Sequence, residues 1–303
     1  MSKTIVFFGT DTFSAAALRS LIDAGYTIGA VVTKPDSKSG RGHKLAAPLV
    51  KEIALEHDIK ILQPTKLLDI IPDIEALGDV TERIGVLSSY GRIVPQAVID
   101  LFHPGIINIH PSLLPLYRGP SPIETAIVNG DERTGVSIMK LSAEMDAGPV
   151  YAQEVYPLDG TETAPQLYDT LSALGGRMLV ETLPEIIKGN LLPSPQQNAA
   201  IYCYLLKKED GVLNTAELTA IEAERRVRAY VAFPKTKIVL NPETDDIAIL
   251  VVTKAHVLSS DEEKDDKQLV VPFKNNSFLV VDELIGPSGK RMSGAAFKNG
   301  YAA

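Results

Sequence analysis

The chain has 303 residues, of which 45% are hydrophobic and 22% charged, and these proportions exclude a largely disordered protein. Its formal net charge of −8 at pH 7 argues against a protein that wraps nucleic acid, so any RNA contact must come from local basic patches. The apolar runs are shorter than the ~20 residues that cross a bilayer, which predicts a cytoplasmic protein that does not enter a membrane.

The first half of the chain alternates strand-like and helix-like segments. A short continuous apolar run predicts a buried strand at residues 5–8, and further strands are predicted at 26–33, 83–87, 106–109, 135–141 and 150–156. Apolar spacing of three and four residues predicts helices at residues 13–24, 45–57, 96–101 and 166–188. This alternation of strands and helices predicts an α/β fold with a doubly wound, mostly parallel, Rossmann-like sheet. Ligands of such sheets bind beyond the carboxyl ends of the strands.

The composition of the sequence changes at Gly189. Residues 190–206 begin with a stretch rich in proline and amide side chains, which predicts a linker. One helix is predicted at 215–230. Short strands follow at 237–240, 247–257, 268–271 and 277–281. The sequence therefore predicts an α/β domain at 1–189, a linker at 190–206 and a small, OB-like β-barrel domain at 207–303.

Cysteine and histidine usage gives no sign of a metal or disulfide site. The single cysteine, Cys203, cannot form an internal disulfide, and its neighbours Tyr202 and Tyr204 indicate a packing residue. The five histidines lack the spacing of metal ligands. No metal is therefore predicted.

Three polar residues stand where the predicted sheet would expose them to a ligand. Asn108 and His110 have the same parity on a strand, so their side chains share one face. Pro111 cannot donate to the sheet ladder and should end that strand. Asp146 lies in a predicted turn that leads into another strand. These side chains suit acyl transfer to an amine, because Asn108 can donate to an oxyanion and His110 can exchange a proton.

Each of these residues also has a structural explanation when it is considered alone. His110 would then be a hydrogen-bonded core histidine, and Asn108 would cap a turn. Asp146 is part of Asp-Ala-Gly, a common turn composition. Spacing alone leaves these alternatives open.

The order of the motifs resembles a known family. The segment Asn-Ile-His-Pro-Ser-Leu-Leu-Pro, followed by Tyr-Arg-Gly and then Met-Asp-Ala-Gly, is similar to the signature of the 10-formyltetrahydrofolate-dependent formyltransferases. The resemblance implies that Asn108, His110 and Asp146 are the catalytic trio and that 10-formyltetrahydrofolate is the formyl donor. It also implies a folate site in which one loop holds the pterin through backbone groups. The implied folate-site residues are Ser88, Ser89, Tyr90, Gly91, Arg92, Ile93, Val94, Ser112, Leu113, Leu114 and Pro115.

Members of this family differ in the amine that they formylate. Known acceptors are glycinamide ribonucleotide, amino sugars on nucleotide carriers, and methionyl-tRNA. Residues 34–45 form a glycine-containing cationic segment, which on physical grounds is equally well a solvated basic loop. The segment nevertheless resembles the mobile insertion of the methionyl-tRNA formyltransferases, which contacts the acceptor stem. The resemblance implies that Arg41 and Lys44 contact tRNA, where cations neutralise phosphates.

The C-terminal part resembles the tRNA-binding domain of the same family at residues 206–211, 221–230 and 287–297. Its implied tRNA contacts are Arg225, Arg226 and Arg228. Where the family commonly has Asn-Pro-Trp-Pro-Gly, residues 230–235 read Tyr-Val-Ala-Phe-Pro-Lys, and the chain has no tryptophan. Phe233 supplies a smaller aromatic face at this place.

The prediction is a monomeric enzyme that transfers the formyl group of 10-formyltetrahydrofolate to the α-amino group of methionyl initiator tRNA. The alternative keeps the chemistry and takes a nucleotide-linked amino sugar as acceptor. A non-catalytic folate- or RNA-binding protein is the other alternative, and the intact trio argues against it. A nicotinamide dehydrogenase does not fit, because residues 9–13 lack the spaced glycines of the dinucleotide-binding turn.

Overall fold

The structure is a computed structural model that describes residues 3–39, 44–240, 248–259 and 265–301. It contains two compact units. Unit 1 comprises Met1–Pro122, Thr134–Tyr156 and Tyr168–Cys203, and unit 2 comprises Ile123–Arg133, Pro157–Leu167 and Tyr204–Ala303. Within the described ranges, every helix is too short or too polar to cross a membrane.

The described residues of the first two-thirds of the chain form nine strands and six α-helices. The strands are β1 (Thr4–Phe8), β2 (Ile28–Val32), β3 (Ser37–Ser39), β4 (Lys44–Ala46), β5 (Ile61–Leu62), β6 (Arg83–Ser88), β7 (Ile106–His110), β8 (Arg133–Lys140) and β9 (Val150–Pro157). The helices are α1 (Thr12–Asp23), α2 (Leu49–Glu56), α3 (Ile71–Glu75), α4 (Gln96–Ile99), α5 (Pro122–Asn129) and α6 (Ala164–Lys188).

Seven of these strands form one sheet in the order β5-β2-β1-β6-β7-β8-β9. The pairs from β5 to β7 are parallel, and β8 runs antiparallel to β7. The side chains of β1 from Ile5 to Phe8 are fully buried, as expected for a strand covered on both faces. The predicted doubly wound, mostly parallel α/β fold is confirmed.

Local sequence explains where several elements begin and end. Asp11 caps α1 by accepting a hydrogen bond from the backbone N–H of Ser14 (3.1 Å). Gly25, with φ of +78°, reverses the chain after this helix, as a residue in the left-handed region does. β7 ends at His110, directly before Pro111, which has no N–H to donate.

Unit 2 contains the remaining strands, β10 (Thr236–Leu240), β11 (Ala248–Val257), β12 (Leu269–Phe273), β13 (Ser277–Ile285) and β14 (Arg291–Ser293), and the helices α7 (Ala220–Ala229) and α8 (Gly294–Tyr301). The strands form one antiparallel sheet in the order β10-β11-β13-β12, with β14 on β13. Val227 of α7 and Phe297 of α8 join the sheet side chains in one core. The antiparallel sheet is consistent with the small barrel fold predicted for this part of the chain.

The structure differs from the sequence prediction in several elements. The helix predicted at 45–57 begins only at Leu49, because Lys44–Ala46 forms β4 against β3 and Pro48 precedes the helix. The segment predicted as a loop at 34–45 thus contains a short antiparallel strand pair. The helix predicted at 215–230 begins at Ala220, because the Thr219 side chain caps it and exchanges hydrogen bonds with Glu222. The sequence analysis missed β5, β14, α3, α5 and α8.

Part of the predicted linker is hydrogen-bonded within unit 1. Ser194 and Val150 exchange two backbone hydrogen bonds of 2.8 Å, and Tyr202 forms a parallel bridge with Arg118. The domain boundaries at 189 and 206 remain a prediction.

Candidate active site

Asn108 and His110 lie at the carboxyl end of β7, near the centre of the seven-stranded sheet. Asn108 pairs with Leu87 of β6 on one side and with Met139 of β8 on the other. The Asn108 and His110 side chains are only 4% and 5% exposed. As alternate residues of one strand, they emerge on the same face of the sheet.

The hydrogen bond at one ring nitrogen fixes the tautomer of His110. Nε2 lies 2.9 Å from the carbonyl oxygen of Tyr117. A carbonyl oxygen only accepts hydrogen bonds, so Nε2 carries a proton and donates it. Nδ1 is therefore the nitrogen that gains or loses a proton, and it lies 3.8 Å from Oδ2 of Asp146.

Asp146 occupies a tight turn between β8 and β9. Its φ is +48°, a conformation that aspartate adopts more readily than most residues. The backbone N–H of Gly119 donates to Oδ2 of Asp146 (2.8 Å), which fixes the carboxylate beside the imidazole. At Gly148 a Cβ would lie 1.9 Å from the carbonyl oxygen of Lys140, so only glycine fits as the third residue of the Asp-Ala-Gly sequence. The turn thus brings together two residues that are 36 positions apart in the chain.

The loop after β6 contains the first set of predicted folate-site residues. Ser89 and Gly91 have positive φ values of +46° and +68°, and these fold the loop back on itself. Thr10 donates to the carbonyl oxygen of Tyr90 (3.1 Å), and the Ser89 hydroxyl donates to the carboxylate of Asp11. Burial raises the pKa of the Tyr90 hydroxyl, so this side chain is a neutral phenol near pH 7.

The same loop has polar groups that are available to bind a ligand. Among the described residues, none accepts a hydrogen bond from the backbone N–H groups of Arg92, Ile93 and Val94. The Ser88 hydroxyl is buried and has no partner in the described part of the chain. Ile93 is 86% exposed, although it is a large apolar side chain. Free backbone groups beside an exposed apolar side chain suit a flat heterocycle with a polar edge, and a pterin is such a group.

The second predicted folate segment, Ser112 to Pro115, is held by two residues that the sequence analysis missed. The Ser137 hydroxyl donates to the carbonyl oxygen of Ser112 (2.6 Å) and accepts from the N–H of Leu114 (3.1 Å). Gln153 Nε2 donates to the carbonyl oxygen of Leu114 (2.9 Å) and to the Ser137 hydroxyl (2.8 Å). Ser137 and Gln153 stand on β8 and β9, which the sequence analysis predicted only as strands.

The predicted tRNA contacts are placed only in part. Arg41 lies outside the described residues, and Lys44 begins β4. On α7, Arg228 forms a salt bridge with Glu224 (2.6 Å) and donates to the carbonyl oxygen of Glu162 (2.8 Å). The charge of Arg228 is therefore largely neutralised within unit 2.

The other two arginines of α7 differ in their contacts. Arg225 donates to the carbonyl oxygen of Asn129 (3.3 Å). Nε of Arg226 is buried without a hydrogen-bond partner among the described residues. As for metals, no group of three potential ligands occurs in the ranges that the structure describes.

The fold and this site define a formyl transferase. Residues 2–183 match the family model described as formyl transferase. A protein of Janthinobacterium sp. (strain Marseille) named methionyl-tRNA formyltransferase is 35% identical over 98% of this chain and 97% of its own length. A protein of the same name from Chloroflexus aurantiacus is 44% identical over 76% of this chain and 74% of its own length. The chain belongs to the methionyl-tRNA formyltransferase family.

Solved structures support the same fold at lower identity. An N-formyltransferase from Helicobacter canadensis, in complex with folinic acid and dTDP-3-aminofucose, has a TM-score of 0.67 at 17% identity, and covers 93% of this chain and 99% of its own. Phosphoribosylglycinamide formyltransferase from Bacillus halodurans has a TM-score of 0.52 at 23% identity, and covers 62% of this chain and 97% of its own. At these identities the similarity shows the fold alone.

Proposed function

We propose that this chain transfers the formyl group of 10-formyltetrahydrofolate to the α-amino group of methionine on initiator tRNA, for translation initiation. The observation that carries the proposal is the similarity over nearly the full length of both chains to a protein named methionyl-tRNA formyltransferase. The relatives from Chloroflexus aurantiacus and Pelobacter propionicus bear the same name at 44% and 39% identity.

In the proposed reaction the amine nitrogen bonds to the formyl carbon, and the bond from that carbon to N10 of the folate breaks. The amine loses one proton and the leaving nitrogen gains one. Asn108 donates a hydrogen bond to the oxyanion that develops on the formyl oxygen, a contribution of about 2.7–4 kcal/mol when the donor is preorganised. Burial among β6, β7 and β8 supplies that preorganisation.

His110 is the residue through which protons pass in this proposal. Its Nε2 is committed to the carbonyl oxygen of Tyr117, so Nδ1 takes and returns the proton. The Asp146 carboxylate lies 3.8 Å from Nδ1, so its negative charge faces the ring nitrogen that exchanges the proton.

Substrate binding is assigned to the remaining predicted residues. In this proposal the loop from Ser88 to Val94 holds the pterin through backbone groups, and Ser112 to Pro115 line the folate site. Contacts with tRNA are assigned to Arg41, Lys44, Arg225, Arg226 and Arg228. We further propose a cytoplasmic monomer with a catalytic domain at 1–189, a linker at 190–206 and a tRNA-binding domain at 207–303.

Formyl transfer from 10-formyltetrahydrofolate tests the proposal directly. The acceptors are methionyl initiator tRNA, methionyl elongator tRNA, free methionine and a dTDP-linked amino sugar. Fast transfer to the initiator form alone is the expected result. Transfer to the amino sugar alone would contradict the assigned acceptor and support the alternative, for which the fold gives a precedent.

A further inference from the structure

The side chain of Gln196 joins the two loops that hold the catalytic pair. Its Nε2 donates to the carbonyl oxygens of Asp146 (2.7 Å) and Gly148 (2.8 Å), at both sides of the Asp146 turn. Its Oε1 accepts from Nε (3.0 Å) and Nη2 (2.8 Å) of Arg118. Both donors and both lone pairs of this amide are therefore used, and the side chain has one orientation that satisfies all four contacts.

The Arg118 end of this connection belongs to the loop that faces His110 and Asp146. Tyr117, which precedes Arg118, supplies the carbonyl oxygen for Nε2 of His110, and Gly119, which follows it, supplies the N–H for Asp146. Fixing the Arg118 guanidinium therefore restrains the backbone that contacts both catalytic side chains.

The chain around Gln196 is itself anchored to this loop. The backbone N–H of Arg118 donates to the carbonyl oxygen of Ile201 (2.9 Å). The backbone N–H of Cys203 donates to the carbonyl oxygen of Arg118 (2.9 Å). The Arg118 guanidinium also donates to the Tyr202 hydroxyl (3.2 Å) and lies 5.8 Å from the centre of its ring. These contacts place the Gln196 amide with little freedom, which is what a positioning group requires.

We infer that Gln196 is a positioning residue, which sets the geometry of Asp146 relative to His110 through its two hydrogen bonds to the Asp146 turn. Gln196 lies 50 residues beyond Asp146, in a segment whose sequence predicts only a linker. The inference rests on the proposed roles of His110 and Asp146. It adds that the segment after α6 is part of the catalytic apparatus.

Two substitutions separate the donor function of Gln196 from its contact with Arg118. Gln196→Glu keeps the acceptor for Arg118 and adds an ion pair, but it places a carboxylate against two carbonyl oxygens. Gln196→Met keeps the length of the side chain and removes both functions. Gln197→Ala is the matched control, because Gln197 is an exposed amide next in the chain.

Steady-state formylation of methionyl initiator tRNA should show the same loss in both Gln196 variants. We expect kcat to fall about 10- to 100-fold, since displacements near 1 Å cost this much, while the KM for the folate changes less than about twofold. Gln197→Ala should match the wild type. Near wild-type kcat for Gln196→Glu would overturn the inference, because the contact with Arg118 alone would then be sufficient.

A double-mutant cycle distinguishes positioning of Asp146 from a general structural effect. If Gln196 acts through Asp146, Gln196→Met should cost less than about threefold in kcat when Asp146 is already Asn. An equal loss in both backgrounds would overturn the inference. Thermal unfolding of each variant identifies any that fail to fold, and Gln196→Glu then replaces Gln196→Met in the cycle.

Hydrogen exchange at the Gly119 amide gives a readout that needs no activity. This N–H donates to Asp146, so loss of the Gln196 contacts should accelerate its exchange about tenfold or more relative to Gln197→Ala. If the wild type formylates none of the acceptors, the proposed function fails, and this measurement still tests the positioning. Unchanged exchange in both Gln196 variants would overturn the inference even in an active enzyme.

Discussion

Nδ1 of His110 lies 3.8 Å from Oδ2 of Asp146, while Nε2 of the same ring lies 2.9 Å from the carbonyl oxygen of Tyr117. The two ring nitrogens therefore have different partners and different roles. Nε2 orients the ring through a neutral partner, and Nδ1 faces a charge. Because Asp146 also accepts from the backbone of Gly119, its carboxylate cannot turn away from the ring without losing a partly buried hydrogen bond.

Asp146→Asn should lower kcat strongly with little effect on folate binding. An asparagine oxygen can still accept from Gly119, so the turn should fold, but the negative charge that faces Nδ1 of His110 is gone. We expect a loss of about 10²–10⁴-fold, the range typical of impaired proton transfer. The measurement is kcat and KM with methionyl initiator tRNA. Asp169→Asn, an exposed carboxylate on α6, is the control and should behave as the wild type.

Asn108→Ala should reduce kcat about 10²–10³-fold, as expected for the loss of a single preorganised oxyanion donor. Since this hydrogen bond forms mainly in the transition state, kcat and kcat/KM should fall together. The two constants are obtained from initial rates at varied tRNA concentration. A rise in KM with unchanged kcat would instead make Asn108 a substrate-binding residue.

The sequence predicted the parts of the site that depend on local pattern. Asn108 and His110 share a face because strands alternate, and β7 ends before Pro111 because proline lacks a donor. Gln153, Ser137 and Gln196 could not be predicted in the same way. Their hydrogen bonds reach 16 to 78 residues along the chain, and no local periodicity records such partners. Helix α5 was also missed in the sequence analysis.

Ser137→Ala should weaken both the fold and the proposed folate site. The Ser137 hydroxyl is fully buried, and its removal leaves the Leu114 N–H without the partner seen in the structure. We expect the free energy of unfolding to fall by about 1–3 kcal/mol. The KM for 10-formyltetrahydrofolate should rise, because the segment from Ser112 to Pro115 loses a support.

Urea unfolding and folate titration give the two quantities for Ser137→Ala. The exposed Ser288→Ala provides the baseline for a neutral hydroxyl deletion. A variant with full stability and unchanged KM would show that Gln153 alone holds the segment.

Arg41→Ala should act on the tRNA and leave the folate unaffected. If Arg41 contacts phosphate, its removal should raise the KM for methionyl initiator tRNA and reduce the slope of log K against log salt by about one unit. The KM for 10-formyltetrahydrofolate should be unchanged. Arg19→Ala removes an exposed cation that pairs with Glu56 on α2 and controls for net charge. Equal salt slopes for the two variants would contradict the assigned contact.

Cys203 should resist alkylation in the folded protein, although its thiol lies beside the loop that contacts His110 and Asp146. The Cys203 side chain is 4% exposed, and burial raises the pKa of its thiol, with the nearby Asp146 charge acting in the same direction. A higher pKa leaves less thiolate at pH 8, and the thiolate is the nucleophile. Modification by iodoacetamide should therefore be at least about tenfold slower than in the urea-unfolded chain.

Mass spectrometry reports this reaction without ambiguity, because the chain has one cysteine. Asp146→Asn removes one of the two causes that raise the pKa and leaves the burial in place. It should therefore speed alkylation only slightly, with the native protein still far slower than the unfolded chain. Rapid alkylation of the native wild type would mean that the contact between Arg118 and Cys203 opens in solution. The loop that orients His110 would then be mobile rather than fixed.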